Sequence, residues 1–488
     1  MAGQAATSIN AMGAGKGDSV DLAILGGGIV GLSVAWRARA QGRSVVVLER
    51  DTLGAGATHV AAGMLAPVAE VEFGEGGRRV LELGLSAARL WPAFAVELEQ
   101  ASGIEVGLRT CGTLMVARDG DEARELERQL AFRESLGLRA VRLRASQARE
   151  REPALAPNVR LALHAPDDHS VDPRNVVAAL RGACVRAGVE LREHTKVHRV
   201  ELDAGATRVV GVRISRSTGY VAPAADPAGD GAASGEVLGE GGAFELLYAR
   251  DLVVAGGAWS GGLPGLPAGA GVPVRPVKGQ IMRLRDPAGP GLLQGVVRFE
   301  GGYLVPRGDG GYVLGATMEE RGFEPDATVG GVYELLRDAY ELVPGVSELH
   351  IEELGVGYRP GTPDNAPAIG PGTLGGLTWA TGHHRNGILL APLTAELVLA
   401  SLAGGVSSAG REGDGAGGDA RDADGAGRQV HGAAREPEEA RREARVARHA
   451  DMRAGGGGYD LEWLLGACDP GRFGSQAAFS ENESVLQR

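Results

Sequence analysis

Residues 21–50, DLAILGGGIVGLSVAWRARAQGRSVVVLER, leave this chain few ways to fold. Residues 21–25 are a short apolar run, suited to a strand buried on both faces. Gly26, Gly28 and Gly31 then satisfy G-x-G-x-x-G. Residues 32–40 have helical apolar spacing, and Gly42 is a helix stop. Residues 44–48 form a second strand of the buried type, closed by Glu49. Glycine makes up 79 of the 488 residues, so the glycine pattern alone arises roughly twice by chance. The strand before it, the helix after it and the acid at the end of the second strand give it meaning. In that setting Gly26 permits a sharp turn, Gly28 lets a pyrophosphate approach the backbone, and Gly31 lets helix and strand pack closely. The helix N-terminus turns its free N–H groups towards the phosphates, and Glu49 is placed to accept from ribose hydroxyls. The reading is dinucleotide binding, and the motif does not choose between FAD and NAD.

The length allows two or three domains. A net charge of −12 argues against non-specific nucleic-acid binding. No apolar run approaches membrane-spanning length, so no membrane partner is expected. Residues 1–18 lack an apolar h-region and the Arg-rich pattern of a transit peptide, and are expected to be a disordered extension. Cys111, Cys184 and Cys468 show no metal-ligand spacing. They read as small apolar filler in a reducing cytoplasm.

Further along, residues 78–100 are helical, with a kink or break expected at Pro92. A strand is expected over 107–117 and an amphipathic helix over 122–137. Asp172 and Pro173 open a capped helix that ends at Gly188, followed by strands over 189–192 and 196–202. A second αβ pair so far from the first implies one nucleotide-binding domain interrupted by an insertion. Residues 215–244 read as an extended loop, and 246–255 as a strand ending in a glycine turn. Short strand signals at 278–284, 295–298, 302–306 and 311–317 suggest an antiparallel sheet. Residues 359–364 read as a rigid loop, and the strand–turn–helix of 377–402 mirrors the first. The division expected is an extension (1–18), a nucleotide-binding domain (19–85, 146–262, 350–403 and 459–475), a substrate domain (86–145 and 263–349) and a low-complexity insertion (404–458).

The segments around 24–31, 58–67, 277–280, 303–307, 315–318 and 357–362, followed by GHHRNGILLAP from Gly382, occur in one order. Together they resemble the glycine oxidase (ThiO) type of D-amino-acid-oxidase-like flavoprotein, over about residues 21–402. The resemblance implies an α/β fold: a Rossmann-like FAD-binding domain interrupted by an antiparallel-sheet α+β substrate domain. It implies noncovalent FAD, an amino acid substrate and dioxygen, and by analogy a homotetramer. By match, Ile29, Val30, Glu49, Arg50, Ala57, Thr58, Ala62, Gly63 and Met64 line the adenosine and pyrophosphate, and Gly26, Gly28 and Gly31 of the motif join them as cofactor-binding residues. Val197 packs near the adenine. His383, His384, Arg385, Asn386, Gly387, Ile388 and Leu389 wrap the flavin and its ribityl chain. Arg359 and Arg385 hold the substrate carboxylate, with Tyr303 adding a hydroxyl. Gly301 stands where some relatives carry a histidine, and His384 where an aromatic is usual.

Residue physics alone reads Arg359 as a surface ion pair; the family match turns it into a carboxylate anchor. His383 and His384 are adjacent on a turn with no third ligand nearby, so no metal is expected. Lys278 is either a strand-edge charge or a group near the flavin. No Ser-His-acid set or paired carboxylates stand in a persuasive context, and flavin chemistry needs neither. The chemistry expected is hydride transfer from the amine Cα to flavin N5. Imine hydrolysis to a 2-oxo acid and ammonia follows, with hydrogen peroxide released on reoxidation. The rivals are a D-amino acid or sarcosine-type oxidase or dehydrogenase, a non-catalytic FAD-binding subunit, and an NAD enzyme.

Overall fold

The computed structural model describes residues 19–216, 244–408 and 460–476. The expected extension, and the greater part of the 215–244 loop and the 404–458 insertion, lie outside them. The opening strand, Val20–Leu25, is central to the first sheet. It pairs in parallel with Val45–Leu48 on one side and with Glu245–Val254 on the other. Glu190–Arg192 extends one wing in parallel, and Leu377–Thr381 the other, with antiparallel Ala368–Pro371 at the edge. Leu22, Ala23 and Ile24 are fully buried, as a strand covered on both faces requires. One face is covered by the helices Ile29–Ala40, Gly74–Ser102, Pro173–Ala187 and Gly387–Ser408 through Leu32, Trp91, Leu180 and Leu393. The other face is covered by a flap in which Thr195–Leu202 and Val209–Arg216 pair antiparallel and lead onto Glu245–Val254.

Local signals hold well here. The Asp172 carboxylate accepts from the amides of Arg174 and Asn175, and Gly188 ends the helix at φ +82°. Pro92 is different. The expected break is absent, and Gly74–Ser102 is one helix. Trp91, Phe94, Ala95 and Leu98 are buried while Pro92 is exposed. The carbonyl that proline leaves unpaired therefore falls on the side where water can reach it. Leu83, Ala87, Trp91, Phe94, Ala95 and Leu98 of this helix pack in the nucleotide-binding layer, so the division expected at residue 85 falls inside one element.

The second sheet has eight strands, in the order His350–Gly361, Arg275–Arg285, Gly311–Gly315, Gly302–Pro306, Val296–Phe299, Thr113–Ala117, Leu161–Ala165 and Val141–Arg144. Every pairing is antiparallel except that of Val296–Phe299 with Thr113–Ala117. The helix Val329–Leu342 covers one face through Leu335, Ala339 and Leu342. Two strands depart from the expected division. Leu161–Ala165 and His350–Gly361 were allotted to the nucleotide-binding domain and instead pair within this sheet. Leu161–Ala165 is buried at all five positions, and only a central place in a sheet satisfies its backbone there. The rigid loop expected from Arg359 begins only after Gly361, so Arg359 stands on a strand.

At the far end Asp460 caps the helix Leu461–Cys468, whose Leu464 and Cys468 enter the first core. No helix among the described residues is long and apolar enough to cross a membrane.

Trp91 ties Gly74–Ser102 to Gly387–Ser408. It is fully buried, meets Phe94 edge-on and donates from Nε1 to the Leu389 carbonyl at 2.8 Å. Trp91→Ala is expected to lower unfolding stability by about 3–5 kcal/mol. Trp91→Phe, which orphans the carbonyl but keeps most of the volume, should lower it by about 1–3 kcal/mol. Urea unfolding of the two variants checks the order.

Candidate active site

A cavity of about 690 Å³ opens at the carboxyl ends of Val20–Leu25, Val45–Leu48 and Glu245–Val254 and runs to the second sheet. That is where open α/β sheets take ligands. At its near end the glycine turn is shaped by close approach. Gly26 has φ +107°, and a Cβ there would strike the Ala255 carbonyl. A Cβ on Gly31 would strike the carbonyl of Gly26, so helix and turn can touch only without side chains. Gly28 lies in the wall, and a Cβ on it would come within 3.3 Å of the Thr58 hydroxyl. The helix that follows has no acidic residue in its first turn, which keeps its N-terminus open to an anion. Thr58 Oγ1 accepts from the Ile29 amide at 3.2 Å.

Glu49 also lines the cavity. Its carboxylate accepts from the amides of Gly27 at 2.8 Å and Asp51 at 3.0 Å. A carboxylate has about four acceptor positions, so hydroxyls can share it. The Arg50 guanidinium lies 3.9 Å from the centre of the Trp259 ring, which stacks in turn on Phe323. Val30, Ala57, Ala62, Gly63, Met64 and Val197 complete this end.

The turn after Leu377–Thr381 supplies His383, His384, Arg385, Gly387 and Ile388 to the wall. His383 is buried, and burial pushes its pKa down to about 4. Its Nε2 lies 2.9 Å from Thr394 Oγ1, whose own proton goes to the Leu390 carbonyl. Nε2 must therefore be the donor, so His383 is neutral with its proton there. His384 holds φ +47° and donates its amide to the Pro360 carbonyl at 2.9 Å. Burial, then Arg385, Arg359 and Arg275, hold its pKa down to about 3.

Three residues expected to contact the cofactor stand behind the wall. Gly31 packs beneath the turn. Asn386 spends its amide on the His383 carbonyl and its carbonyl on the Leu390 amide, opening the last helix. Leu389 is 2 % exposed and turns into the helical core. Each is one position from a lining residue and is turned away by the local backbone.

At the far end the structure brings Arg359, Arg385 and Tyr303 to one wall, together with Glu70. Arg359 Nη1 donates to the Thr317 carbonyl at 3.0 Å. A Cβ on Gly279 would collide with the Arg359 guanidinium, so that glycine makes its room. Burial, with the charge of Arg385, lowers the Arg359 pKa. Arg385 Nη2 donates to Glu72 Oε1 at 2.9 Å, and its Nε lies 3.9 Å from Glu70. Glu70 chiefly, with Glu72, raises the Arg385 pKa. Burial raises the Tyr303 pKa, so the phenol stays protonated at neutral pH. Lys278 does not line the cavity. It is buried, with Nζ donating to the Asp326 carbonyl at 2.6 Å and to Glu324 at 3.2 Å. Glu70, Trp259 and Gly279 escape the sequence reading. The glycine turn around Trp259 is a usable signal, whereas Glu70, one of three acids in AEVEFGE, carries none.

The family described as FAD dependent oxidoreductase (DAO) matches residues 21–401. The chain belongs to this family. It is 35% identical over 380 residues to the bifunctional protein ThiO/ThiG of Trichormus variabilis, covering 78% of this chain and 52% of that protein. The chain thus spans about half the length of such relatives. It is 34% identical over 381 residues to the glycine oxidase of Geobacillus kaustophilus, covering 78% and 91%. The crystal structure of that oxidase superposes with a TM-score of 0.68 at 32% identity, over 79% of this chain and 95% of that one. The cofactor is FAD, and the sequence expectation of a Rossmann-like flavin-binding fold with a β-rich partner layer stands. The close glycine turn, the open helix end and the half-occupied Glu49 carboxylate all fit such a dinucleotide. Gly31→Ala is expected to displace the turn and weaken FAD binding by about tenfold or more. Flavin absorbance at about 450 nm per mole of purified protein reads this out.

Proposed function

We propose that the chain oxidises glycine, and with it small relatives such as sarcosine or small D-amino acids. Glycine, dioxygen and water give glyoxylate, ammonia and hydrogen peroxide. Delivered as the imine, the product serves the thiazole branch of thiamine biosynthesis. The observation that carries the reading is the meeting of Arg359, Arg385 and Tyr303 at the inner end of the cavity. Two guanidiniums, which only donate, and a phenol that can donate meet there beside Glu70, and the surplus of donors suits a carboxylate.

FAD, which the glycine turn, the helix end and Glu49 would hold, would supply the two-electron acceptor. Everything else in the reading is alignment by the chain's own groups. Arg359 is steadied by backbone carbonyls and offers its remaining N–H groups to the substrate carboxylate. Arg385, held by Glu70 and Glu72, takes the second oxygen. Tyr303 donates its hydroxyl. With the carboxylate fixed, a small amine has one reach along the cavity, and its Cα–H faces the cofactor end. His383 and His384 are neutral, and the proton of His383 points at Thr394, so neither histidine offers a charge to the substrate.

Anaerobic glycine should bleach the flavin of the purified protein, and air should restore it with release of peroxide. A flavin that stays yellow in glycine would remove the proposal. Arg359→Ala should retain flavin while its glycine KM rises roughly ten- to a hundredfold, the equivalent of about 1.5–3 kcal/mol for a lost charged hydrogen bond. An unchanged KM in steady-state peroxide assays would remove Arg359 from the anchor.

A further inference from the structure

A buried carboxyl group and a buried guanidinium grip one dipeptide from both sides. The amides of Val68 and Ala69 donate to Oδ1 and Oδ2 of Asp168 at 3.0 and 2.8 Å. The carbonyls of the same two residues accept from Nε and Nη2 of Arg133 at 2.9 Å each. Asp168 is fully buried and Arg133 is 1 % exposed. Arg133 comes from the helix Gly120–Ser135, and Asp168 from the turn before His169. Burial raises the Asp168 pKa to about 7 and lowers that of Arg133 to about 10. Withdrawing two such groups from water is unfavourable, and a turn of small apolar residues does not demand it.

The next residue gives the arrangement a purpose. The Glu70 amide closes the turn onto the Ala66 carbonyl at 3.1 Å. Its carboxylate stands in the cavity wall with one oxygen 3.9 Å from Arg385 Nε and the other 3.9 Å from Arg298 Nε. Arg385 and Arg359 repel one another across the cavity, and Glu70 is the charge that most stabilises the Arg385 guanidinium. We infer that Asp168 and Arg133 are positioning residues for substrate binding: by locking the Val68–Ala69 turn they aim Glu70 at Arg385 and so hold that guanidinium beside Arg359. The inference rests on the proposed anchoring of the substrate carboxylate by the two arginines.

The test is a double-mutant cycle on the flavin-loaded protein. Asp168→Asn leaves one acceptor where two are used and turns donors towards an amide. It should raise the glycine KM about tenfold, with kcat within about twofold and flavin content unchanged. In a Glu70→Gln background the same change should add less than about twofold, because the group it positions is already gone. Arg133→Lys should behave as Asp168→Asn does and serves if the asparagine variant fails to fold. Glu70→Gln, which leaves the hydrogen bonds of Asp168 and Arg133 to Val68 and Ala69 in place, must itself raise KM. Equal effects of Asp168→Asn with and without the Glu70 carboxylate overturn the inference, as does an unchanged KM in Glu70→Gln. Should Arg359→Ala also leave KM unchanged, the anchoring assignment falls and the inference with it. A raised KM in Arg359→Ala beside an unchanged one in Glu70→Gln overturns the inference alone.

Discussion

Two guanidiniums face one cavity, and much of the surrounding structure answers that fact. Like charges in a half-buried space repel more strongly than they would in water, and burial already lowers the Arg359 pKa. The chain offsets this in two ways. Arg359 is given the Thr317 carbonyl, a neutral acceptor that does not compete for charge. Arg385 is given the carboxylates of Glu70 and Glu72. One arginine is thus held by dipoles and the other by ions. The pair keeps positive character towards the cavity, and neither side chain is left without a partner.

That arrangement depends on the second sheet, because Arg359 stands on its edge strand. Val277 pairs with Arg359 and Gly279 with Gly357 in the antiparallel register. A side chain can lie diagonally across to the neighbouring strand over such a distance, and only glycine at 279 leaves space for it. The first sheet meets the same problem at its own turn, where Gly26 and Gly31 let backbone touch backbone. Both ends of the cavity are built by leaving side chains out, at the turn for a pyrophosphate and at the strand for a guanidinium.

This explains which features could be read from the chain and which could not. Residues 21–50 are legible because strand, turn and helix are consecutive, and the cap at Asp172 and stop at Gly188 are equally local. Pro92 misleads because its effect depends on which side of the helix meets water, a matter of tertiary packing. Residues 161–165 are an apolar run like any other buried strand, and their place in the second sheet rests on partners at 113–117 and 141–144. Asn386 and Leu389 show the limit of transferring a site by motif. The motif fixes a stretch of chain, and the turn decides which of its residues face inwards. Gly279 sat in plain view, but its reason lies eighty residues away in Arg359.

The titratable groups of the cavity suggest a division of labour. His383 and His384 are held neutral by burial, and burial keeps Tyr303 protonated. None of the three is poised to change charge near pH 7. A site built for proton abstraction by the chain would hold a base with its pKa brought towards the working pH. Here the shifts of His383, His384 and Tyr303 each stabilise a neutral state, and Glu70 adds to the stability of the Arg385 guanidinium. Such a site aligns its substrate and leaves electron transfer to the cofactor, which is what membership of an FAD dependent oxidoreductase family requires of the protein part. On the proposed anchoring by the two arginines, activity depends more on how rigidly they are held than on the basicity of any side chain, which gives residues that never meet the substrate a part in it.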